Sequence, residues 1–393
     1  MTTSPESPSA ADETDLLVRI ARLRFALRSD ATPPTEKAKS KAEAIALADR
    51  EGLSGVYRSL HEEFGWAPDA SRQAALDAAT QAELAKLEER ITDAIDNLGD
   101  TEVREALAAK AQLLLRVGAP REERAKWFKA AEEKTVAVGH NLDMLFSQLI
   151  GAIFDGDLGD MKALIDRCKA LLEKGGDWER KNKLKVYEGC YLMATRKFKE
   201  AGDLLLSSVA TFTTTELFPY QTLVLYTVVT SIVTLDRVDL KKKVVDAPEI
   251  LTVISGLPSL EALLNALYGC RYADFFAALP DVADVVKRDM FLAPHHRYFL
   301  REIRKRIYSQ FLESYKSVSL EGMASTFGVS PEFLDRELCG FIVSGDLDAK
   351  IDKIDNIVET VRTDGRETLF TEVIRKGDGL LNKIQKLESK IIE

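Results

Sequence analysis

Apolar residues recur along most of the chain at steps of three and four. Leu16, Ile20, Leu23 and Leu27 form one such series. Leu84, Leu87, Ile91 and Ile95 form another, inside a stretch dense in Ala, Glu, Lys and Arg. That spacing puts each set on one side of an α-helix and predicts amphipathic helices that bury a single stripe. From residue 101 the predicted helices come in pairs: 101–117 with 121–138, 142–154 with 158–173, and 178–194 with 197–212. Breaks fall at Gly118 and Pro120, at Gly139, at Gly156 and at Gly175-Gly176, residue types that end helices or fail to continue them. The pair starts near 101, 141 and 178 give a period of about 36–40 residues, within the range of tetratricopeptide-like solenoids. In RKFKEAGDLLL, Phe198 followed by Ala201 suits the second helix of such a unit. A two-helix unit cannot bury its apolar face alone, so successive units stack.

After residue 316 the pattern changes. Met323, Ala324 and Phe327 give a short helix its apolar face, and Gly328 can take the left-handed conformation that ends it. Ser330 is a natural N-cap with Pro331 at the first helical position, and Phe333, Leu334, Leu338 and Phe341 line the helix that follows, up to Gly345. Ile351 and Ile354, then Ile357 and Val361, suit two short strands joined by a polar turn. Helix, turn, helix and hairpin make a winged helix. From Glu367 to Glu393 the chain is helical again. Leu380, Ile384, Leu387 and Ile391 step by four, three and four, and Leu369 and Val373 extend the stripe upstream, with Gly377 and Gly379 expected to bend or interrupt the helix. Such a stripe at a chain end predicts the seam of a coiled coil or helical bundle.

The fold class expected is therefore all-α dominated: a solenoid of tetratricopeptide-like repeats, a winged-helix subdomain and a C-terminal helix. The divisions are a disordered Ser/Pro-rich tail (1–14), N-terminal helices (15–100) broken by Pro33-Pro34, the solenoid (101–300), the winged helix (301–362) and the helical tail (363–393).

Composition narrows the class. With 46% hydrophobic and 30% charged residues the chain has the balance of a folded protein, and its net charge of −9 argues against a nucleic-acid coat. Cys168, Cys190, Cys270 and Cys339 lie far apart with no CxxC pair, which argues against a zinc ribbon and a disulfide scaffold and fits a reducing compartment. The N-terminus has neither the basic nor the apolar region of a signal peptide. Residues 217–235 carry no charge, but Pro219, Gln221, Thr222, Thr227, Thr230, Ser231 and Thr234 point to a helix buried in a protein core rather than a membrane span.

Candidate chemistry is sparse. The sequence contains no phosphate-binding GxxxxGK[ST], no GxGxxG, no GxSxG elbow and no HExxH. His295-His296 is the only histidine pair, and neighbours on a helix point about 100° apart, a poor arrangement for one metal. No catalytic, cofactor-binding or metal-binding residue is expected, and no enzyme activity. The winged helix raises nucleic-acid binding, yet its second helix carries Glu332, Asp335 and Glu337 against Arg336 alone, and Lys350 and Lys353 in the wing are offset by Asp352 and Asp355. The basic run Arg297, Arg301, Arg304, Lys305 and Arg306 reads as a solvated or partner-facing helix.

Solenoid, winged helix and helical tail together resemble the layout of PCI-domain proteins, the scaffolds of the proteasome lid, the signalosome and a translation initiation complex. The run KGGDWERKNKLKVYEGCYLMATRKFKEAGDLLL, with CRYADFFAAL, RYFLREIRKRIYSQFLESYKSVSLEGMASTFGVSPEFLDRELCGFIVSGDL and KGDGLLNKIQKLESKI, is similar to one family within that layout, the non-ATPase subunits six of the 26S proteasome regulatory particle lid. The resemblance implies a non-catalytic scaffold that supports lid assembly, and through it ATP- and ubiquitin-dependent degradation, in cytoplasm and nucleus. A paralogous scaffold of the signalosome, which deconjugates cullins, is the alternative. Implied partners are the other PCI subunits of the lid and its deubiquitinase module, with base ATPases peripheral and neither nucleic acid nor membrane involved. In the family, winged helices lie side by side in an arc and C-terminal helices gather in a bundle. Carried onto this chain, the arc comes from residues 301–362 and the bundle from Leu380, Ile384, Leu387 and Ile391. The residues themselves point the same way. An edge strand near Ile351 or Ile357 offers unpaired backbone groups for strand addition, and a lone amphipathic tail helix needs a partner for its stripe.

Overall fold

The computed structural model describes residues 14–97, 99–361 and 365–392, without the side chains of residues 365, 367, 368 and 389–392. The expected 1–14 tail lies, except for Thr14, outside the described residues. Residues up to Tyr268 together with Ala278–Leu300 pack as one unit, and Gly269–Ala277 with the described residues from Arg301 onward as a second. The short Gly269–Ala277 segment thus belongs with the winged helix rather than with the solenoid that the sequence grouped it with.

The first unit opens with α1 (Leu16–Arg28), α2 (Pro34–Arg50), α3 (Ser54–Phe64) and α4 (Ala70–Asn97). The Pro33-Pro34 break is short, because Pro34 takes the first helical position of α2. Asp15 caps α1 by accepting the Leu17 N–H at 2.8 Å. The buried residues of α1 are Leu17, Val18, Ile20 and Ala21, so of the expected Leu16/Ile20/Leu23/Leu27 stripe only Ile20 is fully covered. The reason is that α1 packs against both α2 and α7, and two neighbours set the buried face rather than one. In α4, Ile91 and Ala94 are buried while Ile95 stays exposed.

The helix pairs follow as α5 (Asp100–Val117) with α6 (Arg121–Glu133), α7 (Val138–Asp155) with α8 (Leu158–Lys174), and α9 (Trp178–Ala194) with α10 (Phe198–Ser208). Each helix packs on its pair-mate, and α6 on α7 and α8 on α9 join the pairs. At the end of α5, Gly118 sits at φ 81°, and its N–H closes the helix on the Leu114 and Leu115 carbonyls. α6 stops at Glu133, earlier than the sequence suggested, and Val138 instead opens α7. Ion pairs bind one repeat to the next at close to the repeat period. Arg121 meets Asp157, 36 residues on, Arg167 meets Glu132 across 35, and Arg180 meets Asp143 across 37. Each pair has at least one half-exposed member, so they set register more than they add stability.

Then come α11 (Tyr220–Thr234), α12 (Arg237–Leu240), α13 (Pro248–Ile254), α14 (Pro258–Tyr268) and α15 (Tyr272–Arg288). The uncharged stretch is α11, buried continuously from Leu223 to Ile232. Its Thr227 and Thr230 hydroxyls donate to carbonyls four residues back, Leu223 at 2.8 Å and Tyr226 at 2.7 Å, which is how a polar side chain is accommodated in a core helix. Among the described residues no helix is long and apolar enough to cross a membrane.

The second unit takes the first turn of α15 and most of α16 (His296–Leu312), then β1 (Ser317–Ser319), α17 (Leu320–Phe327), α18 (Pro331–Val343), β2 (Ala349–Asp352), β3 (Ile357–Thr360) and α19 (Gly365–Ile392). The capping reads as the sequence indicated. Gly328 is left-handed at φ 67° after α17, and the Ser330 hydroxyl accepts the Phe333 N–H at the start of α18. Phe327 is fully buried among Tyr272, Phe276, Tyr308 and Phe311, with ring centroids 4.9–5.4 Å apart. Leu334, Leu338 and Phe341 of α18 join this core, while Phe333 remains 37% exposed.

Candidate protein-interaction surfaces

The three strands form an antiparallel sheet in the order β1-β3-β2. β3 is therefore central: Val358 faces Val318 on one side and Ile351 on the other, and Ile357 faces Ser319 and Asp352. This corrects one expectation. Ile357 lies on the strand that is paired on both sides, so no open edge exists there. Ile351 lies on β2, which among the described residues pairs only with β3, so β2 and β1 are the outer strands of the sheet. Register also separates the two isoleucines. Ile351 shares the face of buried Val358, and Ile357 points to the opposite face. Both are partly covered. Ile354, expected in a strand, is in the turn between β2 and β3 and is 91% exposed, the most open apolar side chain of the wing. Val343, at the end of α18, is likewise open.

α19 is one continuous helix from Gly365 to Ile392, so Gly377 and Gly379 do not interrupt it. Every described side chain on it is exposed. Leu369, Phe370, Val373, Ile374, Leu380, Leu381, Ile384 and Leu387 are all between 55% and 66% exposed. At about 100° per residue these eight fall within an arc of roughly 140°, wider than a two-helix seam. Leu380, Ile384 and Leu387 thus line one outward apolar stripe, and Phe370, Ile374 and Leu381 widen it beyond the sequence's narrow reading. The side chain of Ile391 lies outside the described residues.

Three members of the basic run on α16 pair with acids of their own unit. Arg301 pairs with Asp346 at 2.6 Å, Arg304 with Glu337 at 3.1 Å, and Lys305 with Glu302 at 2.5 Å and with Asp346 at 3.4 Å. Asp346 also accepts the Ser344 hydroxyl, and that bond, followed by the Arg301 guanidinium, pushes its carboxyl down to about 2. Lys353 of the wing pairs with Asp335 of α18. Phosphate contact would have to displace these carboxylates.

The histidine pair is structural. The His295 ring meets the Ala194 carbonyl at 2.8 Å and packs edge-on to Phe198, and the His296 ring meets the Ala293 carbonyl at 2.8 Å. Cys168 and Cys190 are buried, and burial pushes the Cys168 thiol up to about 12. Among the described residues no group of three or more His, Cys, Asp or Glu is placed to hold a metal ion.

Comparison with known proteins shows the family. Residues 69–243 match the family model described as 26S proteasome subunit RPN7, residues 279–362 the PCI domain, and residues 371–391 the C-terminal helix of 26S proteasome regulatory subunit RPN7/PSMD6. The 26S proteasome non-ATPase regulatory subunit 6 homolog of Arabidopsis thaliana is 48% identical over 374 residues, covering 95% of this chain and 96% of the relative. The corresponding subunit of Dictyostelium discoideum is 41% identical over 95% and 96%. The 26S proteasome regulatory subunit rpn7 of Schizosaccharomyces pombe is 42% identical over 79% of each chain. With a solenoid, a PCI winged helix and a matching terminal helix, and with close to half its residues identical over nearly its full length, this chain belongs to the 26S proteasome non-ATPase regulatory subunit 6 family.

Proposed function

We propose that the chain is a non-catalytic scaffold of the 26S proteasome regulatory particle lid, holding neighbouring lid subunits and thereby supporting ATP- and ubiquitin-dependent protein degradation. The observation that carries this reading is α19: a helix with eight large apolar side chains facing outward, in a chain whose relatives are named as proteasome regulatory subunits. Burying a Leu, Ile or Phe side chain contributes about 1.5–3 kcal/mol. With more than half of each side chain still open, the stripe holds on the order of 10 kcal/mol of unspent burial, a strong drive to associate. Leu380, Ile384, Leu387 and Ile391 are the residues we assign to a helical bundle with other PCI subunits. The 301–362 winged helix would supply a second contact, through the β2 edge at Ile351 and the open Ile354, with Ile357 contributing a side chain rather than an edge.

The internal ion pairs of α16 and the wing favour protein partners over nucleic acid. The lid deubiquitinase module is reached through the same bundle, base ATPases are peripheral, and the working compartments are cytoplasm and nucleus. A signalosome scaffold would share the layout, but the named relatives are proteasome subunits. Tagged purification from the native cell under gentle salt, with mass spectrometry of the partners, tests the reading. Recovery of lid, ATPase-ring and core-particle proteins is expected. A complex that lacks ATPases and core particle and acts on cullin conjugates would overturn it.

A further inference from the structure

The two interior glycines of α19, Gly377 and Gly379, stand out because nothing among the described residues requires either. Both sit in regular helix, with no positive φ, and a Cβ built at either position would meet no atom within 4 Å. Glycine in a helix interior is unfavourable relative to alanine. The two differ in where they point. At about 100° per residue, Gly377 falls in the middle of the apolar arc, between the Leu369/Phe370/Val373/Ile374 group and the Leu380/Leu381/Ile384/Leu387 group, whereas Gly379 falls on the opposite, polar side. Gly377 is therefore a notch in an otherwise bulky stripe.

A charge asymmetry says what kind of helix would lie there. The chain carries a net charge of −9, yet residues 365–392 have six basic against four acidic side chains. Lys376 and Lys383 run along one border of the apolar arc, the position from which charged residues select a partner helix; Lys376 there meets Glu372 of its own helix at 2.8 Å, an exposed pair that a partner carboxylate can exchange with.

We propose that an apolar helix with an acidic flank, supplied by another subunit, crosses α19 at Gly377 and brings its backbone or a large side chain into the notch. Lys376 and Lys383 face the acidic flank. A missing side chain at a crossing point lets two helices approach more closely than the usual 8–10 Å. This rests on the bundle reading of α19 and adds to it the crossing point and the charge of the partner.

The test uses full-length tagged chains expressed in place of the parent in the native cell. Gly377→Leu and Gly377→Ala are compared with Gly379→Leu and Gly379→Ala, and all four favour helix, which circular dichroism of the purified chains verifies. The expected result is that both Gly379 variants enter the complex like the parent, while Gly377→Leu is recovered at least tenfold less and Gly377→Ala falls between. Lys376→Glu combined with Lys383→Glu is expected to weaken recovery and to make it less sensitive to added salt. Equal recovery of Gly377→Leu and Gly379→Leu would overturn the crossing, and so would equal losses, the mark of a hinge. Unchanged recovery and salt response of the double Lys variant would overturn the acidic flank. A Leu380→Asp, Ile384→Asp, Leu387→Asp chain run alongside separates the two levels. If it too assembles normally the bundle reading fails, and if it alone is excluded only the notch fails.

Discussion

Replacing Leu380, Ile384 and Leu387 together by Asp strikes the outward stripe of α19 at three of its most regular positions. The three side chains are 63%, 55% and 63% exposed in the isolated chain. About 1–2 kcal/mol of burial remains to be gained from each, or roughly 3–5 kcal/mol for the three. The new carboxylates would enter an apolar contact without partners, adding at least about 1–3 kcal/mol each. The combined loss, upward of about 6 kcal/mol, exceeds a thousandfold in association. The fold should survive, because more than half of each side chain is already exposed. Assembly is read on native gels and by gradient sedimentation of extracts in which the variant is the only copy. The expected pattern is a soluble, helical chain that runs free or in partial complexes. The matching Leu380→Ala, Ile384→Ala, Leu387→Ala chain should lose only the burial and assemble to an intermediate extent. Normal incorporation of the Asp variant would refute the reasoning.

Other consequences are internal to the fold. Phe327→Ala removes the ring at the centre of the second unit's aromatic cluster and should cost about 3–5 kcal/mol, seen as a lower denaturation midpoint; a loss below 1 kcal/mol would mean that ring is not central. Asp346, with its carboxyl held down to about 2, stabilises the winged helix fully above the ordinary carboxyl value of 3.8, and that contribution is lost as pH falls through about 2. An Asp346→Asn chain should therefore be less stable at neutral pH and show a flatter acid-unfolding profile between about pH 4 and 2; an unchanged profile would contradict the pairing. Native alkylation should modify the half-buried Cys270 and Cys339 and spare Cys168 and Cys190, and peptide mapping showing early Cys168 labelling would contradict its burial.

The helix pairs were legible because their signals are local: apolar residues at three- and four-residue steps, and Gly118, Pro120 and Gly156 as stops. The caps at Gly328 and Ser330 were legible for the same reason. β1 was not, since Ser317–Ser319 is too short to show alternation and exists by pairing with β3. That pairing also made β3 central, which no property of Ile357 could announce. The buried face of α1 was hidden because α7, far along the chain, covers part of it. In α19 the stripe was readable without a partner, since its spacing is written in the residues. Its continuity through Gly377 and Gly379 was not, because two glycines lower helix propensity without forbidding helix.

Hydrogen exchange of α19 in the free chain and in the purified complex tests the account's central claim most directly. With every described side chain exposed, α19 should exchange rapidly in the free chain, faster than α9 or α11 with their buried faces. Within the complex, its amides between Leu369 and Leu387 should slow by about a hundredfold or more as the stripe is covered. Exchange in α19 that stays fast in the assembled particle would contradict the assignment of this helix as the chain's principal contact.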